Sequence, residues 1–107
     1  MPRGPAAHYE TVASASATST AAVKGKMFGM PTLMVGGKAF AGLFKDAMVF
    51  KLRGKDHERA LALAGARLFD PSGRGRPMKE WVEVPARHAA RWASLARQAL
   101  KYVSESR

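Results

Sequence analysis

The stretch KMFGMPTLMVGGKAFAGLFKDAMVFKL, residues 26–52, carries the strongest structural signal in the chain. It contains three apolar runs of strand length, separated by the short turns Gly36-Gly37 and Lys45-Asp46. Two glycines between apolar runs are a strong signal for a tight hairpin. The stretch therefore predicts three antiparallel strands in a meander. We expect the first to be an edge strand or to carry a bulge, because Pro31 cannot donate to a sheet ladder.

Strict alternation along these strands predicts which side chains share a face. In the second run it groups one set of residues as Phe40, Gly42 and Phe44, and the other as Ala39, Ala41 and Leu43. In the third run it separates Met48, Phe50 and Leu52 from Ala47, Val49 and Lys51. The many small side chains indicate that one face of the sheet packs under a helix.

Beyond the meander the pattern predicts a helix, a loop, a strand and a second helix. The first helix spans residues 54–65, with Asp56 as N-cap, Gly65 as C-cap, and a core side formed by Leu61, Ala64 and Leu68. A loop rich in glycine and proline leads into KEWVEV (79–84), a strand with Trp81 and Glu83 on one face and Val82 and Val84 on the other. The last helix, residues 86–103, is amphipathic, with an apolar face of Trp92, Ala96, Ala99, Leu100 and Val103.

The first part of the chain is rich in Ala, Ser and Thr and leaves two alternatives open. Residues 1–23 form either a flexible segment or a weak helix, and residues 24–107 form a single domain. The predicted fold is α+β: an antiparallel meander with a further strand, packed by helices mainly on one face.

Three motifs in this order resemble the TfoX N-terminal domain family: KMFGMP (26–31), GGK (36–38) and RPMKEW (76–81). The resemblance covers roughly residues 24–103. It implies an open antiparallel sheet with helices on one face, preceded by a helix. The regulator of natural competence that gives the family its name carries a second, C-terminal domain without a counterpart in these residues. We therefore expect its regulatory activity not to transfer with the fold, and the resemblance supplies no biochemical activity.

Charge dominates the composition. The 107 residues include 18 Lys and Arg against 8 Asp and Glu, a formal net charge of +10. Such a balance points to nucleic-acid or acidic partners, or to a solvated basic surface. The chain has no cysteine, which excludes disulfides and thiol catalysis. No apolar run approaches the ~20 residues of a membrane span, and no secretory signal is evident, so we expect a cytoplasmic protein without membrane contact.

The loop before the fourth predicted strand is the best candidate site. Its glycines can turn backbone N–H groups inward to cradle an anion, and its arginines can grip a phosphate or carboxylate. The alternative is a turn whose cations face water or pair with neighbours such as Asp70 or Glu80. Together with cations of the last helix, the tentative site for an anion or nucleic acid comprises Arg74, Arg76, Lys79, Arg87 and Arg91.

Nothing in the sequence points to catalysis. The three histidines, His8, His57 and His88, lack metal-binding spacing, and no nucleophile elbow is present. We therefore predict no catalytic residue, no metal and no cofactor.

Three functions remain open. The first is a protein-interaction or regulatory domain, acting as a homodimer or with another protein through an edge strand or open sheet face. The second is nucleic-acid binding through a basic surface. The third is binding of a small anion at the Arg74–Lys79 loop.

Overall fold

The computed structural model of the chain describes residues 4–19, 22–27, 29–70, 73, 75 and 77–105. The helices are α1 (Pro5–Ser19), α2 (Gly54–Leu61) and α3 (Ala89–Glu105), the last preceded by a 3₁₀ turn at Ala86–His88. The strands are β1 (Val23–Met27), β2 (Met30–Val35), β3 (Lys38–Phe44), β4 (Ala47–Lys51), β5 (Arg67–Phe69) and β6 (Met78–Pro85).

The strands form one antiparallel sheet in the order β1-β2-β3-β4-β6-β5. This confirms the predicted α+β fold with a meander and a further strand, since β2, β3 and β4 are the predicted meander and β6 is the further strand. The sequence did not reveal β1 and β5. The first has only five residues, two of them Lys and one Gly, and the second has only three residues, so neither forms an apolar run like those of the meander.

The stretch around Pro31 was expected to be an edge strand or to carry a bulge. It is not an edge strand, because β1 pairs with β2, and the register between β2 and β3 shifts between Leu33 and Met34. Pro31 is the second residue of β2 and lies opposite Lys26 of β1. The pairing between β2 and β3 begins only at Thr32, so the missing N–H of the proline interrupts no pair with β3. Pro31 is therefore tolerated in a strand that has neighbours on both sides.

The main core lies between the helices and one face of the sheet. Trp92 and Ala99 of α3 are fully buried there, with Met48 and Phe50 of β4 beneath them. The whole predicted apolar face of α3 is buried, as is the predicted set Met48, Phe50 and Leu52. Burial of a large aromatic and several aliphatic side chains is the dominant favourable term in such a domain. The helical periodicity of the last segment was therefore a correct guide to the core.

The predicted face assignment in β3 is wrong at Phe40. Leu33 pairs with Ala41 and Met34 with Ala39, so Phe40 is an extra residue in β3 without a partner across the ladder. A bulge of this kind shifts the alternation by one residue. Phe40 and Ala41 consequently bury in the same helix-side cluster instead of on opposite faces.

The predicted extent of α2 is also wrong. The helix ends at Leu61, its N-cap is Arg53, and Asp56 lies in its first turn. Gly65 adopts a positive φ of 84° in the turn that follows, not a cap at the end of the helix. Leu68 belongs to β5, where it lies opposite Val82. Pairing with β6 adds ladder hydrogen bonds that a longer helix would forgo.

The N-terminal segment contains the helix α1. Tyr9, Val12 and Ala13 are buried against the core, and the helix packs on α3. Tyr9 and Val12 are the larger apolar residues of this segment, and they anchor it. The division of the chain into two parts at residue 24 stays a prediction.

The sheet face away from the helices carries a second, smaller cluster. Met30, Val49, Phe69 and Trp81 are buried there, and Phe44 packs edge-on against Phe69 with ring centroids 5.0 Å apart. Trp81 thus lies on the face opposite Val82 and Val84, as predicted. Because the cluster buries its own aromatic rings, the described residues of this face do not form a broad apolar surface.

Candidate functional site

In the loop between β5 and β6, two backbone N–H groups bind the side-chain carboxylate of Asp70. Asp70 accepts the N–H of Gly73 through Oδ1 at 3.1 Å and the N–H of Gly75 through Oδ2 at 2.9 Å. Both glycines have positive φ, 67° and 76°, a conformation that turns their N–H groups toward the carboxylate. An external anion would have to displace Asp70 to reach these two donors. Arg74 and Arg76 lie outside the described residues.

Two adjoining hollows open beside this loop, at one end of the sheet. They have volumes of about 380 and 760 Å³, and Phe44, Lys45, Arg67 and Glu83 line both. We call the two together the basic groove, after the three cations Lys45, Arg67 and Arg87 that line it beside three carboxylates. Its smaller end is bordered further by Asp46, Pro85 and Arg87, and its larger end by Asp70, Gly73, Gly75 and Pro77.

Three cations of the described chain face the basic groove. Lys45 lies in the turn between β3 and β4 and holds its Nζ 5.3 Å above the centre of the Phe44 ring. Arg67 projects from β5, and Arg87 from the turn that precedes α3. A cation over an aromatic face is attracted by the ring quadrupole, which draws Lys45 toward the groove instead of outward.

Two of the three groove carboxylates are already bonded within the chain. Arg67 places Nε and Nη2 each 3.2 Å from Oε2 of Glu83. The Glu83 side chain is only 15% exposed, whereas that of Arg67 is 73% exposed. The guanidinium therefore neutralises Glu83 and still has donors available at the surface. With Asp70 engaged by the loop, Asp46 is the remaining acidic side chain at the rim.

The structure brings together some of the predicted site residues and separates others. Arg87 borders the basic groove, and Arg91 is exposed four residues further along. Lys79 is exposed near the start of β6, two residues after Pro77 at the larger end of the groove, and its side chain does not line either hollow. Lys45 and Arg67 were missed, because one lies in a turn and the other falls where the sequence predicted the end of a helix.

The histidines act as structural links. His57 Nε2 lies 2.8 Å from the carbonyl oxygen of Lys79, and His88 Nε2 lies 2.9 Å from that of Ala64. A carbonyl oxygen only accepts, so the ring nitrogen is the donor in both bonds. The His8 ring meets Trp92 edge-on, with centroids 6.1 Å apart. Within the described part of the chain, no three His, Cys, Asp or Glu side chains are grouped so that they could hold a metal ion.

Both tyrosines have raised pKa values. The Tyr102 hydroxyl donates to Oε2 of Glu80, and this hydrogen bond is the main reason why the pKa of Tyr102 is raised. The Arg53 guanidinium lies 4.7 Å from the centre of the Tyr102 ring, so the contact joins α3 to β6 and to the start of α2. Burial, and secondarily Glu10, raises the pKa of Tyr9 to about 12. Both phenols are therefore protonated at neutral pH.

The family model described as the TfoX N-terminal domain matches residues 16–103 of the chain. A comparison with curated proteins found no match, and a comparison with solved structures found none either. Among the described helices, none is long and apolar enough to cross a membrane.

Proposed function

The chain belongs to the TfoX N-terminal domain family, and we propose that it is a non-enzymatic interaction or regulatory domain that binds an acidic protein segment in the basic groove. The observation that carries this proposal is the position of Lys45, Arg67 and Arg87 around one concave surface. A concave site with mixed apolar and charged lining can enclose several side chains of a partner. The absence of cysteine suits a reducing compartment, so we place this interaction in the cytoplasm.

The lining favours a peptide over a nucleic-acid backbone. Phe44 and Pro85 give the groove apolar walls, and Asp46 and Glu83 interrupt its cations. A phosphate backbone carries a charge at every nucleotide and is best matched by an uninterrupted cationic track. A peptide with a few carboxylates between apolar residues fits the alternation of charge and apolar surface.

Fluorescence anisotropy of labelled decaglutamate tests the proposal. The double variant Lys45→Gln/Arg87→Gln removes two groove cations and should weaken binding about 5- to 30-fold, since each exposed ion pair contributes roughly 0.5–1 kcal/mol. The matched control Lys55→Gln/Lys101→Gln removes the same charge from exposed positions in α2 and α3. It should change the affinity by less than about two-fold. Equal losses in the two double variants would show that binding follows net charge alone and would refute the groove.

Nucleic-acid binding is the second candidate. The net charge of +10 and the exposed cations Arg87 and Arg91 at the start of the last helical segment support it. If duplex DNA contacts the three groove cations, the logarithm of the affinity should fall with the logarithm of salt concentration at a slope of about −3. Nucleic-acid binding would be favoured over peptide binding if the duplex bound more tightly than decaglutamate and its affinity fell more steeply with salt concentration than that of decaglutamate.

A further inference from the structure

Among the described residues, no strand pairs with the outer edge of β1. It is the first strand in the sheet order and spans five residues, whereas the strand at the opposite edge, β5, spans three. In an antiparallel pair, alternate residues of an edge strand direct their N–H and C=O groups away from the neighbour. Such a row of backbone groups can pair with an additional strand.

The side chains of β1 have a distinct chemistry on each face. Lys24 and Lys26 are two residues apart, so they share a face, and both are exposed. That face is on the side of α1, because Lys24 Nζ lies 2.5 Å from Oε1 of Glu10. On the other face, Val23 is 61% exposed, the only large hydrophobic side chain of the described residues that is so open to solvent.

The two lysines oppose pairing with a second copy of the chain. An antiparallel β1–β1 pair centred on Gly25 would place Lys24 of each copy opposite Lys26 of the other. Like charges directly opposite one another destabilise a strand pair, and lysines at an edge are a common defence against self-association. The same positions would favour a strand that carries carboxylates at alternate residues.

The Glu10–Lys24 pair supports this choice of occupant, because it shows that this face of β1 accommodates a carboxylate. Both side chains of the pair are well exposed, at 58% and 60%, so an incoming carboxylate can compete for Lys24. Exposed pairs of this type contribute little, so Glu10 is a weak competitor.

We propose that β1 binds an extended acidic segment of a partner protein by strand addition, with acidic side chains on Lys24 and Lys26 and an apolar side chain on Val23. The surface is distinct from the basic groove, which lies among β3–β6. The backbone of the segment would supply affinity through ladder hydrogen bonds, and its alternating charges would fix register and orientation.

A labelled peptide of alternating Glu and Val tests the proposal by anisotropy. Lys24→Glu/Lys26→Glu should weaken its binding at least about ten-fold, whereas the matched control Lys55→Glu/Lys101→Glu should change it by less than about three-fold. Glu10→Gln, which removes the internal competitor without altering the core, should strengthen binding about two- to three-fold. The groove variant Lys45→Gln/Arg87→Gln should leave unchanged the slowing of amide exchange that this peptide causes at Lys24 and Lys26, which separates this proposal from the proposed function.

The backbone contribution is tested with the same peptide N-methylated at its glutamates, because the residues opposite Lys24 and Lys26 are those whose N–H groups would bond to β1. It should lose nearly all binding, and the unmodified peptide should slow amide exchange at Lys24 and Lys26. If the methylated peptide bound as tightly as the unmodified one, charge attraction alone would account for the contact, and strand addition would be refuted. No binding of the unmodified peptide would overturn the proposal outright.

Discussion

Replacing Trp92 separately by phenylalanine and by alanine tests how the sheet and the last helix are held together. Trp92 is fully buried, and within the described residues its indole N–H has no hydrogen-bond partner. Burying a tryptophan removes roughly 150–250 Å² from water, worth about 4–6 kcal/mol at 25 cal/mol per Å². Trp92→Ala should therefore cost about 3–5 kcal/mol, the usual range for such truncations.

Trp92→Phe should be far milder. It removes about 40 Å² of apolar surface, worth about 1 kcal/mol, and leaves a cavity of about 40 Å³ that costs about 1 kcal/mol more. It also removes a buried donor without a partner, which returns about 1–3 kcal/mol. The edge contact with His8 needs only an aromatic ring and can persist. The net change should stay within about 1 kcal/mol of zero.

Urea unfolding followed by far-ultraviolet circular dichroism measures both changes, and Trp81 remains as a fluorescent reporter in each variant. Arg91→Ala, on the exposed side of the same helix, is the control and should shift stability by less than about 0.5 kcal/mol. If Trp92→Ala unfolds the domain, Trp92→Phe still decides the question. A cost above about 3 kcal/mol for Trp92→Phe would show that the indole N–H is bonded, and a cost below about 1 kcal/mol for Trp92→Ala would refute burial beneath the helix.

Further predictions concern a close approach, the loop and the buried phenol. Gly42→Ala would place a Cβ 3.1 Å from the backbone oxygen of Pro31, whereas Gly25→Ala meets only the movable Met34 side chain. Urea unfolding should show a cost of about 1–3 kcal/mol for the first and less for the second, and equal costs would contradict the packing. Asp70→Ala removes the carboxylate that accepts from the Gly75 amide, whereas the Gly73 amide keeps its bond to the main-chain oxygen of Asp70 at 3.3 Å, so exchange measured by NMR should accelerate at least about ten-fold at Gly75 and less at Gly73; unchanged exchange at Gly75 would show that the Asp70 carboxylate does not hold the loop. Because the pKa of Tyr9 is about 12 in the folded chain and 10 as a free phenol, its contribution to stability is complete below pH 10 and is lost as the pH rises from 10 toward 12. Tyr9→Phe should flatten this part of the stability–pH curve, and an identical slope in the variant would refute the assignment.

The sequence correctly predicted the helices and strands whose formation depends on which of their side chains are buried. The period of α3 and the alternation in β4 and β6 follow directly from which residues must leave water, and Trp92, Val49 and Trp81 all lie where their patterns place them. The features that the sequence did not predict depend on backbone pairing between strands. The edge strand β1 and the extra residue Phe40 depend on ladder partners, which a single strand's pattern does not encode.

The candidate site was predictable only in part, for a similar reason. The exposure of Arg87 follows from the helical pattern, but its proximity to Lys45 and Arg67 depends on how three separate connections meet at one end of the sheet. The glycines of the loop were recognised as N–H donors in the sequence, and the structure identifies their acceptor as Asp70, which precedes them by three and five residues. The backbone conformation of the turn determines whether these N–H groups face solvent or bind an acceptor of the same chain.

Chemical-shift mapping with ¹⁵N-labelled protein locates the residues that an acidic segment contacts and so tests its binding in the basic groove. On addition of unlabelled decaglutamate, the largest shifts should fall on the backbone amides of Lys45, Arg67 and Arg87 and their neighbours, and Lys45→Gln/Arg87→Gln should need about 5- to 30-fold more peptide to reach the same shifts. Shifts spread evenly over exposed lysines and arginines, or concentrated at Arg53 and Lys101 on the far side of the domain, would contradict the account.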